Sequence, residues 1–577
     1  MVAESKIVNQ RTLDLAEEIT QQWGALKNKR YYYEPLWQKV LDLLFSLSRD
    51  VYLVNRHLVV NNALYDGAGM SALRTFASGL IGNMMPRDQA WFTLRYRDPN
   101  RNKAPGVSQF QKDMEDVIYS MLDQSNFYEW SYEFATEGGW ACTSAAFVHP
   151  NPAKKEIQFV TLPTGTYWIN EDSNGVVDTC FYEVYMEGRE ILKNWRDNLT
   201  LDKIEEFENN GFQEYKILHC LRPREKFDPL DSGNLNFAWE STYWFEPDMT
   251  LLEESGYRQF PVVVWRVERN LVGVWGRGPG FNVIRDLAIM QRISQDMLLA
   301  DQKLIDPAYE VPEELSPRDG REQPYVTHPG GINYIPMSAI GKSAPVHQLV
   351  NRPVGIDREQ KIRQSVENHF FVPFFLMQHQ VTHEITIPEY MGRAAEQGVV
   401  LAPLSNRFSS EVLDPLMKLV VQFAADFGIL PQPPATIVQA ASKGSTGHGM
   451  DVNYVGPLAA LQKRSQTMTG VQAFLQTFGE LKQTMPENGP TIDDNVDVDE
   501  VVELMAEANG VQVLLTDDAT KKRNREMRAQ AQAMLAQQQA KAQAMQAVMA
   551  MRKQPGPPNA MGQPNPGQGP GGMGGAF

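Results

Sequence analysis

The stretch GVWGRGPGFNVIRDLAIMQRISQDMLLADQKLID, residues 273–306, sets four glycines within eight residues ahead of about 25 residues without a helix breaker. Two readings compete for it: a glycine-rich phosphate loop opening a nucleotide site, or the stiff start of a long helix. The segment follows a strand-like run and precedes a helical one, as a dinucleotide fingerprint would. Its glycines, however, are Gly273, Gly276, Gly278 and Gly280, and no GxGxxG is formed. Pro279 fits the first helical turn, where its missing N–H costs nothing. The spacing therefore favours a chain bend entering a helix.

The helix itself has two faces. Ile284, Leu287, Met290, Ile293 and Met297 form an apolar stripe, while Arg285, Arg292, Asp296 and Lys303 recur on another side. Pro307 ends it, and a compact Pro/Gly-rich segment with the strand-like runs AYEV, PYVTH and INYIP follows to about Pro353. Helix is expected again from Asp357, where Asp-x-x-Gln resembles a capping box, with Ile362, Val366 and Phe370 on one side. A small β module is thus inserted between two helices.

Upstream, residues 6–48 and 71–85 read as helical, 91–96 as a short strand, and two helices are expected between 107 and 136. From 145 to 275 the period changes to two, in FVHP, EIQFVTL, TYWIN, VVDTCFYEVYM, YKILHCLR, STYWFEP and FPVVVWRVE, with a helix over 187–209. The links are too short for crossovers, so these strands are expected to be antiparallel. The fold class is α+β. Downstream, Thr386, Pro388 and Glu389 form a strong helix start, and that helix is expected to bend at Pro403 or Pro415 and to close at Gly428. Further helices are expected at 456–484 and 498–509. Residues 517–553 read as a rod of roughly 55 Å with a stripe of Met534, Gln538, Met545 and Met549 too thin for a core of its own. The last 24 residues contain 14 Gly or Pro and are expected to be disordered.

Bulk properties exclude several classes. The 577 residues carry a net charge of −16, with the segment from 517 onward basic, so the body is strongly acidic. Tight clamping of nucleic acid needs Lys and Arg on phosphates, and an acidic body does not supply it. The basic run Lys521, Lys522, Arg523, Arg525 and Arg528 either touches nucleic acid or pairs with the acidic run 493–507. Cys142, Cys180 and Cys220 have no CxxC or Cys/His spacing, so neither a disulfide framework nor a metal site is indicated. The N-terminal residues lack the apolar core of a signal peptide, and no apolar run reaches the ~20 residues of a membrane span. IGKSA, residues 340–344, mimics the end of a Walker A loop, but Pro336 replaces the required glycine and Pro345 blocks the helix. His379 and His383 precede Glu384 without forming HExxH, and read as loop histidines. No catalytic constellation and no cofactor site emerges.

LRTFASGLIGNMMPRDQAWFTLRYRD (73–98), ESGYRQFPVVVWRVERNLVGVWGRGPG (254–280) and IRDLAIMQRISQDMLLADQKLIDPAYEV (284–311) resemble the portal, or head-to-tail connector, proteins of short-tailed, podovirus-type bacteriophages. The resemblance covers roughly residues 10–430. It implies N-terminal helices and an α/β wing over 1–280, a stem helix over 281–306 and a clip over 307–353. A second stem helix over 354–371, a tunnel loop over 372–386 and a long kinked helix over 387–430 would follow. A wing return and helical crown over 431–553 and the tail 554–577 would complete the chain.

By the same resemblance, the protein would be a non-enzymatic ring of about twelve copies at one capsid vertex of a virion, made in the cytoplasm of an infected bacterium. Double-stranded DNA would pass through it. Major capsid and scaffolding proteins, the terminase large subunit and a tail adaptor would be its partners, without a membrane. Gln378, His379, Gln380, Thr382 and His383 would face the DNA channel, and Tyr309, Tyr325 and Tyr334 would lie in the docking clip. Arg285, Arg292, Asp296 and Lys303 would sit between stems or toward the lumen. The competing expectation is a nucleotide-dependent enzyme using GRGPG or IGKS; a coiled-coil scaffold is disfavoured by the irregular terminal stripe.

Overall fold

The computed structural model describes residues 10–48, 50–51, 59–60, 64–102, 106–228, 233–315, 325–340, 353–376, 387–434, 437, 450–456 and 518–551. The chain divides into two compact units, Met1–Glu480 and Leu481–Phe577. The helices expected at 456–484 and 498–509, the tail, and residues 377–386 with all five proposed channel residues lie outside the described residues.

The first unit mixes helices with antiparallel sheets. One sheet runs in the order Val262–Arg266, Thr143–Asn151, Glu156–Leu162. A larger one runs Thr250–Tyr257, Trp239–Phe245, Glu214–Pro223, Val177–Glu187, Tyr167–Glu171. Their pairing is antiparallel throughout, as the short links predict. Thr250–Tyr257 is a strand that alternation did not reveal; it is an edge of its sheet with a register shift between Leu251 and Glu253, which breaks the period of two.

The helices expected between 107 and 136 are Val107–Gln124 and Phe127–Ala141. The segment 6–48 is not one helix but two, Gln10–Tyr31 and Glu34–Leu44, separated at Tyr32 and Tyr33 with Pro35 in the first turn of the second. The first of these packs Ile19, Trp23 and Leu26 on Trp168, Phe181, Leu218 and Trp244 of the larger sheet. Trp23 and Trp168 meet edge to face at 5.3 Å. The expected helix over 187–209 is likewise divided, into Gly188–Trp195 and Leu201–Asn209.

A continuous core joins the smaller sheet to the helices Ala68–Met84, Phe127–Ala141, Ile284–Ile305 and Pro353–His369, centred on Trp37, Trp140, Trp265 and Trp275. The second long helix of the paired set starts at Pro353 rather than at Asp357. Proline is tolerated at a helix start, and Asp357 lies in the helix interior, so the capping-box reading does not hold.

The long helix of residues 387–426 runs through Pro403 as α-helix and changes in the turn before Pro415. Ile387–Phe408 passes into a π turn, Ser409–Leu413, and then into Asp414–Asp426. Pro415 explains the place: in an α-helix its ring would strike the carbonyl four residues earlier, at Glu411, and it offers no N–H to that carbonyl. Asp414 donates instead to Ser409, one residue further back. The helix closes at Gly428, left-handed at φ 67°, with Gly428 N–H on Ala425 and Ile429 N–H on Ala424. Beyond it, Met450–Tyr454 pairs antiparallel with Phe92–Tyr96. The second unit is described through one helix, Asp518–Met551.

Candidate functional site

The glycines of GVWGRGPG are answered by their neighbours. A Cβ on Gly276 would lie 2.3 Å from the Cys142 carbonyl oxygen, and one on Gly280 would lie 1.9 Å from that of Trp140. Gly278 would meet Val267 at 3.0 Å. These residues press their backbone against the corner between Phe127–Ala141 and Thr143–Asn151, where Gly276 N–H donates to Thr143 Oγ1. That space is filled by protein backbone, so no phosphate cradle exists there. Cys142 at this corner is left-handed at φ 63° and buried, and burial pushes its thiol up to about 12. Pro279 begins a short helical turn, Pro279–Asn282, that leads into Ile284–Ile305. The competing IGKS segment falls beyond Ile340, outside the described residues.

Of the apolar stripe, Leu287 and Met290 are fully buried, whereas Ile284, Ile293 and Met297 are half-buried. Leu287 and Met290 belong to the same core as Val366 and Phe370 of the Pro353–His369 helix, with Ile362 packed at its edge. The pair is tied by Ser365 Oγ donating to Asp286 at 2.7 Å. It is also held from outside by Gln291, which is buried. Gln291 Oε1 accepts from Tyr65 N–H (2.6 Å) and Asp66 N–H (2.9 Å), and its Nε2 donates to the Asp66 carbonyl (2.7 Å). Asp66 in turn accepts from Arg363 at 2.9 Å. One glutamine thus joins the first helix, the 65–66 backbone and, through Asp66, the second helix. The only trace in the sequence is a polar residue seven positions after Ile284 on the packed side.

Past Gln291 the helix is not enclosed. Leu298, Leu299, Leu304 and Ile305 are all exposed, Ile305 by 83%. Arg285 and Arg292 are exposed; Arg292 pairs with Asp296 one turn on at 3.2 Å, and Lys303 is half-exposed in the last turn. The four charged residues do not converge on one point, since Lys303 lies two turns beyond Asp296.

The β module consists of Tyr309–Pro312 and Ile332–Ile335, paired in parallel with Val311 opposite Tyr334. Tyr309 and Tyr334 therefore share one face. Tyr325 is exposed, and its hydroxyl donates to Glu310 at 3.0 Å; this bond to the carboxylate raises its pKa. Residues 325–328 of PYVTH do not form the expected strand. Val326 N–H donates to Asn333 Oδ1 and its carbonyl accepts from Asn333 Nδ2, so a side-chain amide replaces the ladder. The Val372–Thr386 stretch begins packed rather than looped: Val372–Phe375 forms a helical turn, with Val372 in the core and Phe375 packed against it.

Two further polar clusters, around Arg266 and His219, have no signal in the local sequence pattern. Arg266 is bound by Glu411 and Glu171. His219 sits between the Tyr182 hydroxyl (Nδ1, 2.6 Å) and Ser241 Oγ (Nε2, 2.8 Å) and stacks on Tyr243 at 3.8 Å. Burial lowers its pKa to about 3, so it is neutral. Each of its nitrogens has a protein partner, which marks a structural histidine. Among the described residues no group of three or more His, Cys, Asp or Glu is placed to hold a metal, and no helix is long and apolar enough to cross a membrane.

Residues 16–514 match the bacteriophage head to tail connecting protein family, and the chain belongs to that family. It is similar to the probable portal protein of Bordetella phage BPP-1, 25% identical over 501 residues that cover 85% of this chain and 86% of the relative. It is similar also to the portal protein of Salmonella phage epsilon15, 24% identical over 536 residues covering 90% and 92% of the two chains.

Proposed function

We propose that this chain is a non-enzymatic portal subunit that assembles into a closed ring of about twelve copies at one capsid vertex, through which double-stranded DNA enters and leaves. The observation that carries it is the uncovered half of the Ile284–Ile305 helix, where Leu298, Leu299, Leu304 and Ile305 stand in solvent in one copy. An amphipathic helix pair that encloses only its first two turns needs neighbours for the rest, and identical neighbours in a closed cycle supply them. In this reading residues 281–306 and 354–371 are the stem, 307–353 the clip and 387–430 the long kinked helix, with an α/β wing before residue 280 and a crown after 431. Exposed Tyr309 and Tyr325, with Tyr334 beside them on the module, are the docking surface for the terminase large subunit and later the tail adaptor. Gln378, His379, Gln380, Thr382 and His383 are the DNA-facing loop, and capsid and scaffolding proteins meet the outer rim. An acidic chain suits passage of DNA without retention, because few cations are available to hold phosphates.

Electron-microscopic class averages of the purified full chain test this directly. Rings of fixed symmetry are expected, and monomers or dimers at every concentration would overturn the reading. A packaging assay on the joint variant Gln378→Ala/His379→Ala/Gln380→Ala/His383→Ala tests the loop. Intact rings with reduced DNA packaging are expected, and normal packaging removes the loop from the mechanism.

A further inference from the structure

Between the start of the Ile284–Ile305 helix, Glu34–Leu44 and the Pro353–His369 helix lies an open groove of about 980 Å³. Its wall is apolar, with Ile284, Ala288, Ile289 and Ile293 half-buried along it. Its edge is cationic: Lys39, Arg285, Arg292 and Arg358 all line it, and all are exposed. Among the described residues Lys39, Arg285 and Arg358 have no carboxylate partner, and Arg292 has only the exposed Asp296. Asp286, the acidic residue of the lining, is occupied by Ser365. Four cations from three separate helices therefore converge on one groove of a chain whose net charge is −16.

We infer that this groove receives an acidic helix face from a second copy of the chain, so that neighbours in the ring associate head to tail through it. The inference rests on the ring reading and specifies its contact. An apolar wall inside a charged edge is the anatomy of a protein interface, whereas a phosphate backbone would leave the isoleucines uncovered. The volume accommodates about two turns of an α-helix. The chain carries a complement of that size: Glu129 and Glu133, one turn apart on the Phe127–Ala141 helix, are exposed and unpaired among the described residues, flanking exposed Tyr132. Like charges at that spacing disfavour each other until a cation reaches them. The far end of that helix touches the groove's border, where Gly280 meets Trp140. Glu129 lies about 16 Å back along the helix axis. Socket and plug are thus separate on one copy, as a heterologous contact requires.

The test uses the full chain and mass photometry across a salt series. Arg285→Glu/Arg292→Glu is expected to raise the protein concentration for half-assembly at least about tenfold. Arg285→Lys/Arg292→Lys should assemble as the wild type does, and adding Glu129→Lys/Glu133→Lys to the reversed chain should restore rings. Unchanged assembly of the reversed chain would overturn the inference while leaving the ring reading intact. Loss without restoration would overturn the assignment of the acidic face, and unchanged assembly with lost DNA binding would give the groove to nucleic acid. Wild-type chains that never form rings would instead remove the underlying reading.

Discussion

Arg266, buried, and Glu411, half-buried and 145 residues away in the chain, form an ion pair that fastens the sheet strand Val262–Arg266 to the π turn of the long helix. Glu411 Oε1 receives the guanidinium at 2.6 and 3.1 Å, and Oε2 receives Arg266 backbone N–H at 2.8 Å. Glu171 takes another guanidinium nitrogen at 2.6 Å, and Arg407 approaches Glu411 at 2.7 Å. Every arm of the buried arginine is satisfied, which is the condition under which burying it is tolerated. The extra residue of the π turn accommodates Pro415 in the same turn that presents Glu411 to the sheet.

Removing Glu411 leaves the buried Arg266 with Glu171 as its remaining carboxylate, and removing Arg266 leaves the half-buried Glu411 with Arg407. Glu411→Gln or Arg266→Met alone should each destabilise by ~1–3 kcal/mol, and the double variant should cost less than the sum. Denaturant melts of the four chains measure the coupling; strict additivity would show that the pair does not act as a unit.

The glycines of residues 273–280 should differ in tolerance by their neighbours alone. Gly280→Ala drives a methyl onto the Trp140 carbonyl and should cost ~3 kcal/mol or more. Gly273→Ala meets Tyr33 Oη at 3.2 Å, a side-chain end that can yield, and should cost under ~1 kcal/mol. Thermal melts compare the two.

Gln291→Leu should loosen the helix pair without touching its apolar contacts. Tyr65 N–H, Asp66 N–H and the Asp66 carbonyl lose their partner, a penalty of ~1–3 kcal/mol for each group left dry. Faster amide exchange at residues 65 and 66 is the expected signature.

His219 should make the protein acid-sensitive. Its pKa is about 3 when folded against 6.5 unfolded, so between those values the unfolded chain binds the extra proton. The contribution is fully present above pH 6.5 and is lost as pH falls toward 3, on the order of 5 kcal/mol in all. His219→Gln should flatten the stability profile in that window while leaving it unchanged in shape above it.

Leu298→Ser/Leu299→Ser should change the melting of the single subunit by no more than ~1 kcal/mol per site, because the side chains are already 48% and 46% exposed. Ring assembly should nevertheless weaken, and sedimentation of the variant beside the wild type separates the two effects.

Local pattern was sufficient for much of this chain. The period of two located most strands between 143 and 266, helical spacing located Val107–Gln124 and Ile284–Ile305, and Pro279 marked the entry to the latter. Gly428 closes the long helix where the sequence placed its end. These features depend on residues a few positions apart, and covalent proximity makes their interactions readable in order. The parallel pairing of Tyr309–Pro312 with Ile332–Ile335, the π turn, the clamp of Gln291 on Tyr65 and Asp66, and the partners of Arg266 were decided only by tertiary structure. Each depends on which distant backbone or charge arrives at a residue, and neither propensity nor periodicity carries that information. The four glycines before Ile284–Ile305 illustrate the division: their spacing alone ruled out a dinucleotide fingerprint, but that Gly276 and Gly280 admit the backbone of Cys142 and Trp140 follows from packing.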